Sequence, residues 1–212
     1  MEKIIKDLRN NPLIAVVAIP DPQLAVPLAE ALLKGGVKCI EITFRNENAT
    51  EALHNIRDAN LSILVGAGTV RTKKDAQNAI EATTDFMVSP GLNDLVIKYV
   101  QKNSNIPFFP GVDSTLGIEK AYNLGLRNLK FFPATVAGGP QWLRSVKGPY
   151  YDINFIPTGG VGLANLEDYL SLPNVLACGG SFLARSHLIK DEKWDEITQT
   201  AKKAVEIVNK IK

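Results

Sequence analysis

Eight short apolar runs, rich in β-branched and small residues, punctuate the chain at IAVVAI (14–19), CIEITF (39–44), ILVGAGTV (63–70), FMVSP (86–90), FFPGV (108–112), LKFFPA (129–134), FIPTGG (155–160) and VLACGGS (175–181). Runs of this length, bounded by glycine and proline, read as strands. Between them lie stretches with helical spacing of apolar residues, such as DPQLAVPLAEALLKGG, where Pro22 suits a first helical turn and the paired glycines its end. Each strand-plus-helix unit takes roughly 20 to 26 residues, and strands alternating with helices predict a parallel sheet. Eight such units predict an α/β fold, a (β/α)8 TIM barrel of about 200 residues, compact for that architecture. Residues 2–11 read as an extra N-terminal helix covering the lower end of the barrel, and WDEITQTAKKAVEIVNKIK as the last helix. No linker or low-complexity segment interrupts the rhythm, so residues 1–212 are expected to form one barrel domain. An open, doubly wound sheet carries the same rhythm, because periodicity does not show closure.

Composition narrows the partners. The 212 residues are 45% hydrophobic and carry a net charge of +2, with acids and bases interleaved. Nothing in this pattern resembles a nucleic-acid track or a membrane-surface patch, so small-molecule partners are expected, with no nucleic acid and no membrane. The first twenty residues are broken by Glu2, Lys3, Lys6, Asp7 and Arg9, so they lack the apolar core of a signal peptide, and the reading is a cytoplasmic protein. Cys39 and Cys178 each lie inside an apolar run and read as core residues. His54 and His187 fall away from strand ends, so no metal site is expected.

Polar residues inside the strand runs carry the functional signal. In a barrel, reactive groups belong at the C-terminal ends of strands or just beyond. Strict alternation in CIEITFR puts Cys39, Glu41, Thr43 and Arg45 on one face and Ile42 and Phe44 on the other. Glu41 is then directed into the barrel, with Arg45 about 13 Å further along an ideal strand, so the two are expected to serve different ends of one ligand. In NLKFFPA the same alternation turns Leu129 and Phe131 toward the helices and Lys130 and Phe132 toward the axis. An inward ammonium between apolar neighbours is costly, and the cost falls if the group gives up its proton. A neutral amine is a nucleophile, so the pair reads as a Schiff-base lysine, Lys130, with Glu41 shuttling its protons. PTGGVG (157–162) and CGGS (178–181) place paired glycines after the last two strands, where bare backbone N–H groups can approach an anion, and phosphate sites of barrels are often built there. GAGTVR (66–71) has Arg71 where a dinucleotide fingerprint needs its third glycine, so no nucleotide cofactor is expected.

The ordered set EITFR, GAGTV, SPGL, PGV, KFFPA, PTGG and GGS, spanning residues 12 to 205, resembles the 2-keto-3-deoxy-6-phosphogluconate aldolases, a class I group that includes 4-hydroxy-2-oxoglutarate aldolases. The resemblance implies pyruvate-dependent aldol cleavage without a cofactor. Lys130 would match the Schiff-base lysine, Glu41 the general acid/base, and Arg45 and Thr69 the carboxylate holders. Pro90 and Phe132 would line the pocket, and Thr158, Gly159, Gly160, Gly180 and Ser181 would surround the phosphate and neighbouring hydroxyls. Its partners would be a phosphorylated 2-keto-3-deoxy sugar acid and pyruvate, and its assembly a homotrimer. Two departures stand out. The first strand ends in AVVAIPDP without the arginine of some members, which leaves that charge to Arg45, and PGVDSTLG places Asp113 and Ser114 where the family often has another residue and a threonine, with a glutamate beyond that is missing here. A sugar-phosphate isomerase or epimerase on the same barrel, an aldolase preferring 4-hydroxy-2-oxoglutarate, and a non-enzymatic phosphosugar-binding protein are the competing readings.

Overall fold

The computed structural model describes residues 2–211. Its elements run α1 (Glu2–Asn10), β1 (Leu13–Val17), α2 (Ala25–Lys34), β2 (Cys39–Thr43), α3 (Ala49–Asp58), β3 (Leu64–Gly68), α4 (Lys73–Glu81), β4 (Phe86–Val88), α5 (Asp94–Asn103), β5 (Phe108–Phe109), β6 (Gly111–Val112), α6 (Thr115–Asn123), β7 (Asn128–Phe131), α7 (Gly139–Val146), β8 (Asn154–Pro157), α8 (Leu166–Leu170), β9 (Cys178–Gly180), α9 (Ser186–Lys190) and α10 (Trp194–Ile211). Strands alternate with helices and every strand pairing is parallel, so the chain is an α/β protein. None of the helices among the described residues is long and apolar enough to cross a membrane.

Side chains at several strand ends start the following helix. Asp21 accepts from the Gln23 amide in the short turn that leads into α2, Thr72 and Asp75 form a reciprocal capping box on α4, and Asn93 and Ser114 cap α5 and α6. Each satisfies an N–H group that the first helical turn leaves without a partner. The Ser114 hydroxyl accepts from the Gly117 amide at 3.4 Å, so its first role here is to hold the start of α6.

The strands form a six-stranded sheet, β5-β4-β3-β2-β1-β9, and a three-stranded one, β6-β7-β8. The fifth apolar run is two strands, a correction to its reading as one. Pro110 lies between β5, which pairs with β4, and β6, which pairs with β7. Proline has no amide hydrogen to give to a ladder, so a change of partner falls naturally there. Two further bridges, Phe155 to Val175 and Thr158 to Gly179, link β8 to the segment leading through β9. The last run is likewise shorter than its apolar stretch, with β9 confined to Cys178–Gly180.

Alternation divides the interior. Leu13, Ala15 and Val17 of β1, Ile40 and Ile42 of β2, and Leu129 and Phe131 of β7 pack with helix residues such as Leu28, Leu32 and Leu53. Ile14, Val16, Cys39, Phe86, Val88, Phe109 and Ile156 form a second cluster on the opposite face, which Leu8 of α1 joins, with Ile4 and Ile5 against it. Cys39 and Cys178 are fully enclosed free thiols. Phe131 stacks on Trp142 of α7 at 4.5 Å, and Phe155 meets both rings edge-on at 6.4 and 5.9 Å. Removing the fully buried Phe155 ring leaves a void under this aromatic group. Phe155→Ala should cost about 3–5 kcal/mol of stability, read as a lower urea midpoint at unchanged denaturant slope.

Candidate active site

Lys130 is the third residue of β7 and Glu41 the third of β2, and strands that are 89 residues apart in sequence bring their side chains together. Lys130 Nζ donates to Glu41 Oε1 at 3.4 Å, with side chains only 5% and 2% exposed. The contact is about half an ångström longer than a tight ammonium–carboxylate bond, so the carboxylate is within reach of the amine without clamping it. The Lys130 nitrogen also lies 5.5 Å from the centre of the Phe132 ring. Across the neighbouring strand, Gly111 stands in register with Lys130, and the Lys130 amide donates to the Pro110 carbonyl at 2.9 Å.

Glycines of β3 make the room for Glu41. Gly68 pairs in register with Thr43, and a Cβ built on it would collide with the Glu41 carboxylate. Gly66, on the same face, is filled by the Phe86 ring in the same way. The Glu41 field also reaches the Cys39 thiol, which burial pushes well above its ordinary range and the carboxylate, with Asp85, pushes further, so this thiol is a protonated core group. Burial raises the Cys178 thiol likewise.

Thr69 follows Gly68 at the end of β3, half-buried, with φ of 58°. Positive φ is unusual for a β-branched residue. The segment is held in that shape from both sides, by Phe44 N to Gly68 O at 2.8 Å and Val70 N to Val88 O at 3.0 Å. Arg45 requires a correction: β2 ends at Thr43, so Phe44 and Arg45 are in a turn and strand alternation does not extend to Arg45. Its amide turns back to the Thr43 carbonyl at 2.7 Å, and its side chain is exposed without an ion pair among the described residues. Phe132 is corrected in the same sense, since β7 ends at Phe131 and the half-buried Phe132 belongs to the turn after it.

Phe132 and Pro90 share a cleft of about 280 Å³ with Gly111, Asp113, Ser114 and Lys120. On the other side of Phe132 stands the loop after β8. The hydroxyl of Thr158 is buried without a hydrogen-bond partner among the described residues. Gly159 and Gly160 follow with φ of 95° and 80°, a conformation that a side chain would strain. A Cβ on Gly159 would press on the Phe132 ring at 3.2 Å. Asn165 ties the loop, its Nδ2 donating to Gly160 O at 3.0 Å and its Oδ1 accepting from Gly162 N at 2.9 Å. Gly180 closes β9, and the exposed Ser181 opens a short helical turn.

Lys130, Glu41, Phe132 and the Gly159–Gly160 turn are thus contiguous, and Pro90 reaches Phe132 through the cleft, whereas the Arg45 side chain is exposed in the turn after β2. Gly68 and Asn165 were missed from sequence. The signal for Gly68 was available, because Gly66 and Gly68 share the strand face that looks onto Glu41. No group of three or more His, Cys, Asp or Glu side chains suited to a metal occurs among the described residues. Gly68→Ala should displace the Glu41 carboxylate and lower turnover about a hundredfold or more, with an unchanged far-UV spectrum.

Comparison with known proteins places the chain in a family. The family model described as KDPG and KHG aldolase matches residues 4–200. A 2-dehydro-3-deoxy-phosphogluconate aldolase of Haemophilus influenzae is 39% identical over 207 residues, covering 98% of this chain and 97% of that protein. Among solved structures, KDPG aldolase of Legionella pneumophila with pyruvate captured as a covalent carbinolamine superposes with a TM-score of 0.87 at 37% identity, covering 91% of this chain and 93% of that one. The 2-keto-3-deoxy-6-phosphogluconate aldolase of Zymomonas mobilis with 3-phosphoglycerate gives 0.86 at 33% identity, with 96% of each chain covered. Matched by that family model over residues 4–200 and by relatives of this identity over nearly its full length, this protein is a member of the KDPG and KHG aldolase family.

Proposed function

We propose that the chain is a class I aldolase that cleaves 2-keto-3-deoxy-6-phosphogluconate to pyruvate and glyceraldehyde 3-phosphate, and that it also accepts 4-hydroxy-2-oxoglutarate. The observation that carries this reading is the buried contact of 3.4 Å between Lys130 and Glu41. Lys130, as the free amine, adds to the C2 ketone, and the carbinolamine loses water to give an iminium. Glu41 takes the proton of the C4 hydroxyl, the electrons of the C3–C4 bond flow into the iminium, and glyceraldehyde 3-phosphate departs. The enamine left on Lys130 is protonated at C3 by way of Glu41, and water then releases pyruvate and the amine. The electron sink is built from the chain's own lysine. The Legionella aldolase with its pyruvate carbinolamine supports the same chemistry here.

The remaining residues hold the two ends while the middle breaks. Thr69 and Arg45 take the carboxylate, which requires the exposed Arg45 side chain to fold over the mouth. Phe132 and Pro90 line the pocket. Thr158 presents its unpartnered hydroxyl to the substrate, and the amides about Gly159, Gly160, Gly180 and Ser181 cradle the phosphate. The Zymomonas aldolase with 3-phosphoglycerate supports a phosphate-bearing ligand. We read β5 and β6 as one interrupted strand and the whole of residues 1–212 as one (β/α)8 barrel with α1 over its lower end. The pairing of β1 with β9 and the bridges between β8 and the last strand support that closure. A homotrimer is proposed on the family resemblance.

Incubation with pyruvate and borohydride tests the reaction class. The expected result is a stable adduct on Lys130, absent in Lys130→Ala, with Glu41→Gln lowering kcat by about 10²–10⁴. A sugar-phosphate isomerase, which makes no imine, would give no adduct, and that outcome would remove the aldolase reading.

A further inference from the structure

The loop that follows the nucleophile's strand is fastened to the glycine turn at several points. Thr158 N donates to Phe131 O at 2.9 Å, Ala134 N to Thr158 O at 2.9 Å and Thr135 N to Gly159 O at 3.0 Å, so residues 131–135 and 158–159 form one backbone ladder beyond the ends of β7 and β8. Thr135 then meets Gly160 with its side chain: a Cβ on Gly160 would fall on Thr135 Oγ1 and within 2.6 Å of Thr135 Cβ. Gly160 lacks a side chain where Thr135 fills the space, and Thr135 is the surface on which the turn rests. Behind it stands Tyr169 of α8, fully buried, with its hydroxyl 3.3 Å from Thr135 Oγ1. Burial raises the Tyr169 phenol above its ordinary value, so near neutral pH it keeps its proton and can donate to the threonine. Gly139, at the start of α7, borders that hydroxyl, and a Cβ there would lie in ordinary contact with it at 3.5 Å.

Asn165 secures the opposite side of the same turn through Gly160 O and Gly162 N. The turn is therefore gripped by two side chains, and one of them, Thr135, lies five residues after Lys130, in the loop that follows β7. We propose that Thr135, itself oriented by Tyr169, is a positioning residue that fixes the Gly159–Gly160 turn for the substrate's phosphate and so sets the enzyme's preference for phosphorylated substrates. The proposal rests on the reading of this turn as the phosphate cradle. Thr135 does not touch the reacting carbons: the amides it supports do the binding. A cradle preset to a dianion's shape needs less ordering when the ligand arrives, and loss of the support is felt in affinity for the phosphorylated end rather than in imine formation.

The test compares wild type with Thr135→Val, Thr135→Ser and Tyr169→Phe in three measurements on the full chain. These are steady-state cleavage of 2-keto-3-deoxy-6-phosphogluconate, competitive inhibition by inorganic phosphate, and the rate of pyruvate trapping by borohydride. Thr135→Val should raise KM and the phosphate inhibition constant together by about tenfold, with pyruvate trapping within about twofold of wild type. Thr135→Ser should restore both constants, and Tyr169→Phe should fall between. If the valine variant leaves both constants unchanged, or slows trapping as much as it weakens phosphate binding, the positioning role is overturned. Failure of the wild type to trap pyruvate would sink the aldolase reading instead, and direct titration of inorganic phosphate into wild type and Thr135→Val would still decide the role of Thr135. Failure of inorganic phosphate to compete in the wild type would overturn the cradle and this proposal with it.

Discussion

An amine and a carboxylate enclosed together, with almost no water around either, set the terms for the rest of this molecule. Taking one such ion out of water costs several kcal/mol, and mutual attraction repays that only in good geometry. Among the described residues the other ion pairs lie at the surface or half-exposed, as between Lys34 and Asp195 or Arg127 and Asp152. The Lys130–Glu41 contact is different in burial and is loose at 3.4 Å. A pair kept for strength would be short and fully bonded. This one is buried yet leaves the amine unclamped, as the proposed proton shuttle would need.

Parallel topology makes such a meeting possible. Neighbouring parallel strands present all their C-terminal ends on one side, and the helices that return the chain cover the other face with apolar side chains. The price of each inward polar group is then met by its strand neighbours. Ile40 and Ile42 flank Glu41, Leu129 and Phe131 flank Lys130, and all four are buried against helices. Gly68 completes the arrangement by omission, because the volume a side chain would take there is the volume of the carboxylate.

The strands, their alternation and the inward turn of Lys130 and Glu41 were legible because each depends on a period of two within a few residues. Reading failed where a local hydrogen bond or a missing donor broke that period. Arg45 was extrapolated along a strand that ends two residues earlier, where the backbone folds back on Thr43. Pro110 lies inside an apolar run, and its effect is to divide the run between two sheets. The glycine turn was visible as PTGG, but the side chains that grip it were not. Asn165 and Thr135 look like ordinary loop polar residues, and Tyr169 like an ordinary helix residue, until the chain is folded.

Thr69 carries a tension between durability and work. A β-branched residue at φ of 58° stores on the order of 1–2 kcal/mol that a glycine would not. Selection for heat resistance alone would erase the threonine and relax the backbone, and the hydroxyl would go with it. With the carboxylate role proposed for Thr69, the residue marks a place where a sturdier protein and a better catalyst are different sequences, and where stabilising consensus changes should be resisted.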